Sequence, residues 1–281
     1  MNKTILNRTF DEERSLYNLK NTDVDLCIFA GPKDGESVLK ETRNVTVNDC
    51  SFSLRYPLWH AHNFVLENSK MDEKTRAPIW YAKKGIIENT SINGIKALRE
   101  SKDIIVKKST VISDEFGWKC SRLKVEDSKI ESQYLFLDSS DIEIKKLEMK
   151  GKYSFQYIHN LKISDSVLDT KDAFWHSKNV TVENCTIKGE YLAWFSEGLT
   201  LKHCTITGTQ PFCYCKNLTL IDCTMEGCDL AFEYSSVNAE IKGKIKSIKN
   251  PLKGLITVDG IEEIITSKTT KKCIGKVVIR K

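Results

Sequence analysis

The chain has 281 residues, of which 43 are Lys or Arg and 38 are Asp or Glu, giving a formal net charge of +5. With 40% hydrophobic and 29% charged residues but only 14 Gly and 5 Pro, the composition excludes collagen-like, disordered and low-complexity chains. No apolar run approaches the length of a membrane helix, the N-terminal residues lack a signal-peptide core, and no block of Lys or Arg stands out. We therefore expect a soluble, cytoplasmic protein that binds neither membranes nor nucleic acid.

Residues 1–43 fit the later pattern poorly and are predicted to form an N-terminal cap and a first coil. From residue 44 onwards a unit of 19 residues repeats. Residues 179–187, 198–206 and 217–225 show it most plainly, reading NVTVENCTI, GLTLKHCTI and NLTLIDCTM. One mostly small position recurs at intervals of 19, with a single interval of 21. It is occupied by Cys50, Ser69, Thr90, Ser109, Ser128, Leu147, Ser166, Cys185, Cys204 and Cys223.

Within each repeat the apolar residues alternate with polar ones, as Leu199 and Leu201 do around Thr200, which predicts a short half-buried strand. A turn follows, whose second residue is mostly Asn or Asp, the types that best tolerate a positive φ after Gly. A second short strand ends in a large apolar residue. A third strand is predicted over segments such as residues 173–177.

Such small units bury an apolar face only when identical coils stack, each strand pairing with its equivalent one turn away. Helical repeats are longer, and the leucine-rich signature is absent. The sequence therefore predicts an all-β, single-stranded parallel β-helix of about twelve coils, right-handed by analogy with parallel crossovers. We expect one domain over residues 1–281, with regular coils over 44–245 and a C-terminal cap over 246–281, so that both ends are capped.

Most of the ten cysteines are interpreted as core residues. Cys185, Cys204 and Cys223 share their column with Ser and Thr, which indicates a small buried side chain. Reduced thiols are expected in a chain without an export signal. The spacing around Cys213 and Cys215 does not match a structural zinc site, and no phosphate loop or dinucleotide fingerprint occurs. No metal and no cofactor are predicted.

Two neighbouring columns of the third strand are both apolar, so one of them faces outward or is covered. The first holds Leu58, Ile79, Leu98, Gly117, Phe136, Phe155, Phe174, Ala193, Phe212 and Glu233. The second, the tryptophan column, holds Trp59, Trp80, Arg99, Trp118, Leu137, Gln156, Trp175, Trp194, Cys213 and Tyr234. The tryptophan column shares its parity with the small residues Ala61 and Ala82, so we expect it to face inward.

The column after the tryptophans carries the candidate chemistry. Glu100, Lys119 and Asp138 fall on three consecutive coils, with Tyr157 and His176 on the next two. Two carboxylates two coils apart could suit an inverting hydrolase, and a Lys between acids could be the base of a lyase. A ladder of alternating charge that only stabilises strand pairing is the alternative. The histidines do not converge on any nucleophile.

The coil pattern resembles the pectin-lyase-like right-handed β-helix superfamily. More narrowly, the chain resembles an uncharacterised, mostly bacterial family of such proteins known as a domain of unknown function. The resembling segments are residues 9–14, 35–37, 40–41, 56–60, 76–81, 171–175, 189–194 and 230–235. The resemblance implies the fold but no activity. The wider superfamily includes polysaccharide lyases and hydrolases, whose calcium-binding aspartates and catalytic Arg or Lys have no matching position here.

The predicted function is binding, and in its stronger form processing, of a carbohydrate polymer or oligosaccharide on the third-strand face. The rival is a non-enzymatic scaffold that forms homo-oligomers through the same face. If the protein is an enzyme, we expect a polysaccharide lyase or glycoside hydrolase with Glu100, Lys119 and Asp138 as catalytic residues. The predicted ligand-binding residues are Arg99, Trp118, Tyr81, Tyr157 and His176.

Overall fold

The computed structural model describes residues 3–31, 36–268 and 271–280. Over these residues the chain is an all-β, right-handed parallel β-helix of about 14 turns, without any helix. It divides into two compact units, residues 1–143 and 144–281. Among the described residues there is accordingly no helix long and apolar enough to cross a membrane.

In the first unit each coil contributes a longer strand, a shorter strand and a corner. Its strands are β1 (Lys3–Leu6), β2 (Thr9–Phe10), β3 (Lys20–Asp25), β4 (Ile28–Ala30), β5 (Arg43–Asn48), β6 (Ser51–Ser53), β7 (His62–Glu67), β8 (Lys70–Met71), β9 (Ile79–Trp80), β10 (Lys83–Glu88), β11 (Ser91–Asn93), β12 (Leu98–Arg99), β13 (Lys102–Lys107), β14 (Thr110–Ile112), β15 (Phe116–Trp118) and β16 (Ser121–Ser132). The longer strands pair in parallel from β3 through β5, β7, β10 and β13 to β16. The shorter ones pair likewise from β2 through β4, β6, β8, β11 and β14 to β16.

The second unit repeats this arrangement. After β17 (Ser140–Gly151) its strands are β18 (His159–Ser164), β19 (Val167–Asp169), β20 (Lys178–Glu183), β21 (Thr186–Lys188), β22 (Glu197–Lys202), β23 (Thr205–Thr207), β24 (Leu218–Thr224), β25 (Ser236–Lys249), β26 (Lys253–Ile265) and β27 (Lys276–Ile279). Parallel pairing runs from β18 through β20, β22, β24, β25 and β26 to β27. In β22, Leu199 and Leu201 are buried and Thr200 is not, so the predicted alternation places the core inside the coils.

The sequence predicts about twelve coils, and the structure has about 14. The additional coils lie at the ends, because β1 and β2 already pair with β3 and β4, and β26 and β27 continue beyond β25. The first repeat is not recognisable in the sequence for two reasons. Leu26 occupies the turn position that is usually Asn or Asp, and Cys27 lies 23 residues, rather than 19, before Cys50. The capping roles of residues 1–43 and 246–281, and the single-domain organisation, stay predictions.

The turn between the two strands has the predicted backbone, and it shows why its small residue is polar. Asn68, the residue before the small position, has a φ of 50°. Ser69 Oγ accepts the N–H of Cys50 at 3.1 Å and donates to the carbonyl of Glu67 at 2.7 Å. A buried backbone N–H needs a partner, so the column favours a small side chain with an acceptor atom, with Leu147 as the exception. Cys Sγ meets this need more weakly, as where Cys50 Sγ accepts the N–H of Cys27 at 3.4 Å.

The ten cysteines are all free, and nine of them are buried. Burial raises the pKa of Cys120 to about 12, so this thiol stays protonated at neutral pH. The interpretation of most cysteines as core residues is therefore confirmed, and Cys273, which is only partly buried, is the exception.

The third side of most coils is not the strand that the sequence predicts. Among the described residues only β9, β12 and β15 are strands there, and they form a separate three-stranded sheet. In the coil around residues 172–177, Asp172, Phe174 and His176 have φ values of 51°, 61° and 56°. Alternate residues in the left-handed region take the backbone out of its pleat, so side chains no longer alternate between two faces.

The expectation that the tryptophans face inward is wrong for the same reason. The preceding column is the buried one, with Leu58 at 0% and Phe174 at 2% exposure. Trp59 and Trp175 are only partly buried. The outer surface of the third side therefore carries the tryptophan column together with the column that directly follows it.

We call this following column the corner column. It consists of His60, Tyr81, Glu100, Lys119 and Asp138 in the first unit and of Tyr157, His176, Phe195, Tyr214 and Tyr234 in the second. The sequence analysis assigns Tyr234 to the tryptophan column, whereas the structure places it in the corner column. The Tyr214 N–H donates to the carbonyl of Glu233, and Tyr234 stacks on Tyr214, because this coil is one residue longer than its predecessors.

Candidate functional site

In the first unit the tryptophan column is a ladder of rings with one cation inserted. Trp59 and Trp80 lie 5.1 Å apart between ring centroids. The guanidinium of Arg99 lies 4.9 Å from the ring of Trp80 and 5.6 Å from that of Trp118. Arg99 is therefore held between two indoles by cation–π attraction. The structure brings together two of the predicted ligand-binding residues, Arg99 and Trp118, and it does so on successive coils.

Four of the five indole N–H groups of the tryptophan column, those of Trp80, Trp118, Trp175 and Trp194, donate to a backbone carbonyl 16 residues further along the chain. Trp80 Nε1 donates to the carbonyl of Lys96 at 2.7 Å, and Trp118 Nε1 donates to the carbonyl of Tyr134 at 2.9 Å. In the second unit Trp175 Nε1 donates to the carbonyl of Tyr191 in the same way. The tryptophans are thus anchored between coils by their polar atoms and present mainly carbon surface to solvent.

The predicted catalytic residues lie on three consecutive coils, as expected. The Glu100 N–H donates to the carbonyl of Trp118, and the Lys119 N–H donates to that of Leu137. Glu100 is half-buried and its Oε1 lies 3.4 Å from Arg99 Nε, whereas Lys119 and Asp138 are exposed. None of the ion pairs among the described residues joins Glu100, Lys119 and Asp138 to one another within 4.0 Å. Their catalytic role stays a prediction.

At its N-terminal end the corner column begins with His60, which contacts Glu41, a pair that sequence reasoning missed. His60 Nδ1 lies 2.7 Å from Glu41 Oε1, and Arg43 Nη2 lies 3.4 Å from the second oxygen of Glu41. Tyr81, a predicted ligand-binding residue, meets His60 edge to face at 5.1 Å. Glu41 was beyond reach from sequence because it lies in the irregular stretch before the first aligned coil.

In the second unit the corner column is aromatic throughout. Tyr157 and His176, both predicted ligand-binding residues, stack at 5.0 Å with an interplanar angle of 9°. The ladder continues through Phe195 and Tyr214 at 5.1 Å and 4.8 Å, and ends on Tyr234 at 5.7 Å. Tyr157 and Phe195 are 48% and 46% exposed. Because the rings stack on each other, the inner ones present their edges to solvent rather than their faces.

A cleft of about 490 Å³ opens where this ladder ends. Its walls carry three rings, three lysines and several uncharged polar groups. They are Phe195, Tyr214, Cys215, Lys216, Asn217, Tyr234, Ser236, Leu252, Lys253 and Lys271. A second cleft of about 330 Å³ adjoins it and shares Asn217, Ser236 and Lys253.

The cleft was missed from sequence for two different reasons. Phe195 and Tyr214 were aligned in the right column, but nothing in the pattern showed that an opening lies beside them. Lys253 begins β26, in the stretch where the repeat fades, and reaches the cleft only because Lys253 pairs with Ser236 of β25. That pairing follows from the continued stacking of coils rather than from any local motif.

The surroundings of Tyr214 determine the charge state of one wall of the cleft. Burial, and then the charge of Glu233, raise the pKa of Tyr214, so its phenol remains a neutral hydrogen-bonding group. Glu233 is itself paired with Lys249 at 3.0 Å. Lys271 Nζ lies 5.7 Å from the ring of Tyr234. Among residues 3–31, 36–268 and 271–280 there is no group of three side chains placed to hold a metal ion.

Comparison with known proteins settles the family and leaves the activity open. A family model described as "Protein of unknown function (DUF3737)" matches residues 3–279. The chain belongs to the DUF3737 family. None of the curated proteins matches this DUF3737 sequence.

Solved structures resemble this DUF3737 protein only distantly. PfbA, a surface adhesin of Streptococcus pneumoniae, is 9% identical over 92% of this chain and 82% of its own, with a TM-score of 0.49. The A-module of the Azotobacter vinelandii mannuronan C-5 epimerase AlgE4 is 10% identical over 98% and 90%, with a TM-score of 0.31. A tailspike of bacteriophage CBA120 is 10% identical over 98% and 51%, with a TM-score of 0.29. At such low sequence identity the similarity concerns the fold alone and says nothing about the ligands of this protein.

Proposed function

We propose that this DUF3737 protein binds a carbohydrate chain, and that the ligand lies in the cleft at the end of the aromatic ladder of the second unit. The observation that carries the proposal is the composition of that cleft. The rings of Phe195, Tyr214 and Tyr234 supply apolar surface, and Asn217 and Ser236 supply hydrogen-bonding groups beside it. A volume of about 490 Å³ falls within the range of small-ligand sites.

The stacked rings themselves favour the end of the ladder over its length. An inner ring such as His176 has both faces covered, by Tyr157 at 5.0 Å and by Phe195 at 5.1 Å. A sugar cannot lie flat on a face that another ring already covers. The ladder ends on Tyr234, which lines the cleft and whose second face carries no stacked ring among the described residues.

The proposal is tested by a glycan array followed by titration calorimetry with the saccharides that bind. Tyr214→Ala is expected to weaken binding at least about tenfold, in line with removal of a buried aromatic contact. Tyr17→Ala is the matched control, since Tyr17 is 51% exposed and lies in the first unit. Circular dichroism of both variants checks that they are folded. An array with no bound glycan at millimolar saccharide would overturn the proposal.

Processing of the bound chain is the stronger form of this proposal, and Glu100, Lys119 and Asp138 are its candidates. They belong to the first unit, whereas the cleft belongs to the second. Glu100→Gln is therefore expected to leave saccharide binding unchanged. Release of shorter or unsaturated products by the wild type, and its loss in Glu100→Gln, would establish processing.

Self-association through the same ladder is the rival function. It is favoured by the exposed ring edges of Tyr157 and Phe195, which are 48% and 46% accessible on one column. Light scattering separates the two functions. A dimer that dissociates in Phe195→Ser, without any bound glycan, would favour the scaffold.

A further inference from the structure

Two lysines of the cleft, Lys216 and Lys253, lack the ion pairs that several other lysines of the second unit form. Five lysines elsewhere in this unit lie within 4.0 Å of an acid. These pairs are Lys171–Glu190, Lys242–Asp222, Lys244–Glu262, Lys246–Asp229 and Lys249–Glu233. Within the part of the chain that the structure describes, Lys216 and Lys253 have no such partner. Two unpaired ammonium groups thus line one cleft.

The walls of the cleft hold no carboxylate that could neutralise them. Neither of the two adjoining cavities is lined by Asp or Glu among the described residues. Glu233, whose charge acts on Tyr214, is already paired with Lys249 at 3.0 Å. Glu197 is the strand neighbour of Lys216, but among the described residues the two side chains form no ion pair within 4.0 Å. The cleft therefore has a positive potential, and its apolar ring edges limit screening by water.

Lys253 occupies the point where the two cavities meet. It lines both of them, together with Asn217 and Ser236. Its backbone is fixed, since Lys253 pairs with Ser236 and its N–H donates to the carbonyl of Ser235 at 3.3 Å. Ser236 Oγ in turn accepts the N–H of Asn217 at 2.8 Å. These three residues lie on successive coils, so hydrogen bonds between coils fix the base of the Lys253 side chain at the residues that the two cavities share.

We propose that the cleft selects saccharides that carry an anionic group, and that Lys253 is the residue that determines this selectivity. The inference rests on the proposed carbohydrate-binding function and adds the charge of the ligand to it. The sugar lies against the edges of Tyr214 and Tyr234, and its anionic group contacts the ammonium of Lys253, with Lys216 close enough to contribute. A charge-assisted contact of this kind strengthens binding more than a neutral hydrogen bond does.

The test uses two probes that differ only at C6: a β-1,4-linked glucose tetrasaccharide and the corresponding tetraglucuronate. Calorimetry on the full chain is expected to give at least about tenfold tighter binding of the tetraglucuronate at low salt. Because the contact is partly exposed, the ratio is expected to shrink as salt is raised to about 0.5 M.

Variants then locate the charge. Lys253→Met keeps the approximate length of the side chain and is expected to remove most of the preference for tetraglucuronate, because it weakens tetraglucuronate binding much more than tetraglucose binding. Lys216→Met is expected to have a smaller effect. Lys162→Met is the matched control, because Lys162 is exposed on β18 and lies outside the cleft.

The outcomes separate this inference from the proposed function. Equal binding of both probes, or a preference that survives in Lys253→Met and Lys216→Met, would overturn the charge selectivity but leave carbohydrate binding intact. Failure of the wild type to bind either probe or any arrayed glycan would overturn both. If Lys253→Met lost binding to both probes, Lys253 would be required for binding any saccharide, and this would contradict its role in charge selectivity.

Discussion

The two units build the same corner from different side chains. In the first unit the tryptophan column is interrupted by Arg99, and the corner column changes from His60 and Tyr81 to the charged residues that follow. In the second unit the corner column is a ring on every coil, from Tyr157 to Tyr234. The inward column is apolar in both. At the corner, the two units therefore differ in the side chains that they present to solvent and not in the apolar column behind them.

Stacked coils place equivalent residues about 5 Å apart, and this spacing suits rings and charges differently. Rings at such a distance attract each other by dispersion and need no partner from elsewhere. Charges are attracted only when their signs alternate and their long side chains align, and Glu100, Lys119 and Asp138 form no mutual ion pair within 4.0 Å. The aromatic corner is thus the more rigid platform, and it is the one beside a cleft.

The largest expected effect tests the assignment of inner and outer columns, which both units share. Leu98→Ala in the first unit and Phe174→Ala in the second should each lower the free energy of unfolding by about 3–5 kcal/mol, because both side chains are fully buried. Phe195→Ala, on the exposed ladder, should cost about 1 kcal/mol. Urea unfolding measures all three.

Trp175→Ala provides the control for orientation. Trp175 is half-buried, and it should cost clearly less than its neighbour Phe174. If the two substitutions were equally destabilising, or if Trp175→Ala were worse, the tryptophan column would be the inward one after all. The comparison between the two corner surfaces would then have to be abandoned.

A smaller effect is expected where the first unit departs from the second, at Arg99. Removing the guanidinium from between Trp80 and Trp118 by Arg99→Met should lower the free energy of unfolding by about 1–2 kcal/mol. Arg99→Lys should recover part of this loss, since an ammonium retains the charge but lacks the planar surface that stacks on indole. Thermal or urea unfolding measures both.

Arg76→Met is the matched control for this change, because Arg76 is exposed in the same unit. It should change stability by less than about 0.5 kcal/mol. Equal stability of Arg99→Met and the wild type would mean that the two indoles close the gap by themselves. The first unit would then be held together at its corner by rings alone, as the second is.

Much of the fold could be predicted because the same pattern recurs in coil after coil, so that each coil supports the alignment of its neighbours. The interval of 19 aligned Ser69, Ser109 and Cys185 correctly, and the Asn and Asp bias predicted the positive φ that Asn68 adopts. These signals are local and recur many times. Periodicity alone was enough to choose the parallel β-helix over other repeat architectures.

The third side could not be predicted by the same reasoning, since alternation in sequence gives orientation only where the backbone is pleated. At Phe174 and His176 the left-handed φ values break that rule. The residue type gives no warning at Phe174, because Phe rarely adopts such φ values. The cleft depends on Lys253, which approaches Ser236 only through the pairing of β25 with β26. Long-range pairing of this kind leaves no motif where the repeat fades.

The smallest expected effect concerns Asp172, a buried acid at the base of the aromatic corner of the second unit. Burial raises the pKa of this carboxyl, outweighing the opposing charges of Lys171 and Lys152. The folded state therefore binds the Asp172 proton more tightly than the unfolded state does. This group's contribution to stability is greatest at low pH and is lost as pH rises through the raised folded pKa. Asp172→Asn, which also tolerates the φ of 51°, should stabilise the protein at pH 7.

The pH dependence distinguishes this cause from a simple change in packing. Unfolding midpoints at pH 7 and pH 3 should show a gain for Asp172→Asn that is present at the higher pH and absent at the lower one. Asp169→Asn is the matched control, because Asp169 is exposed on β19 in the same coil. Loss of stability in Asp172→Asn at pH 7 would mean that the carboxylate is a needed acceptor in the corner. In that case the aromatic corner would depend on a charge, as the corner of the first unit does at Arg99.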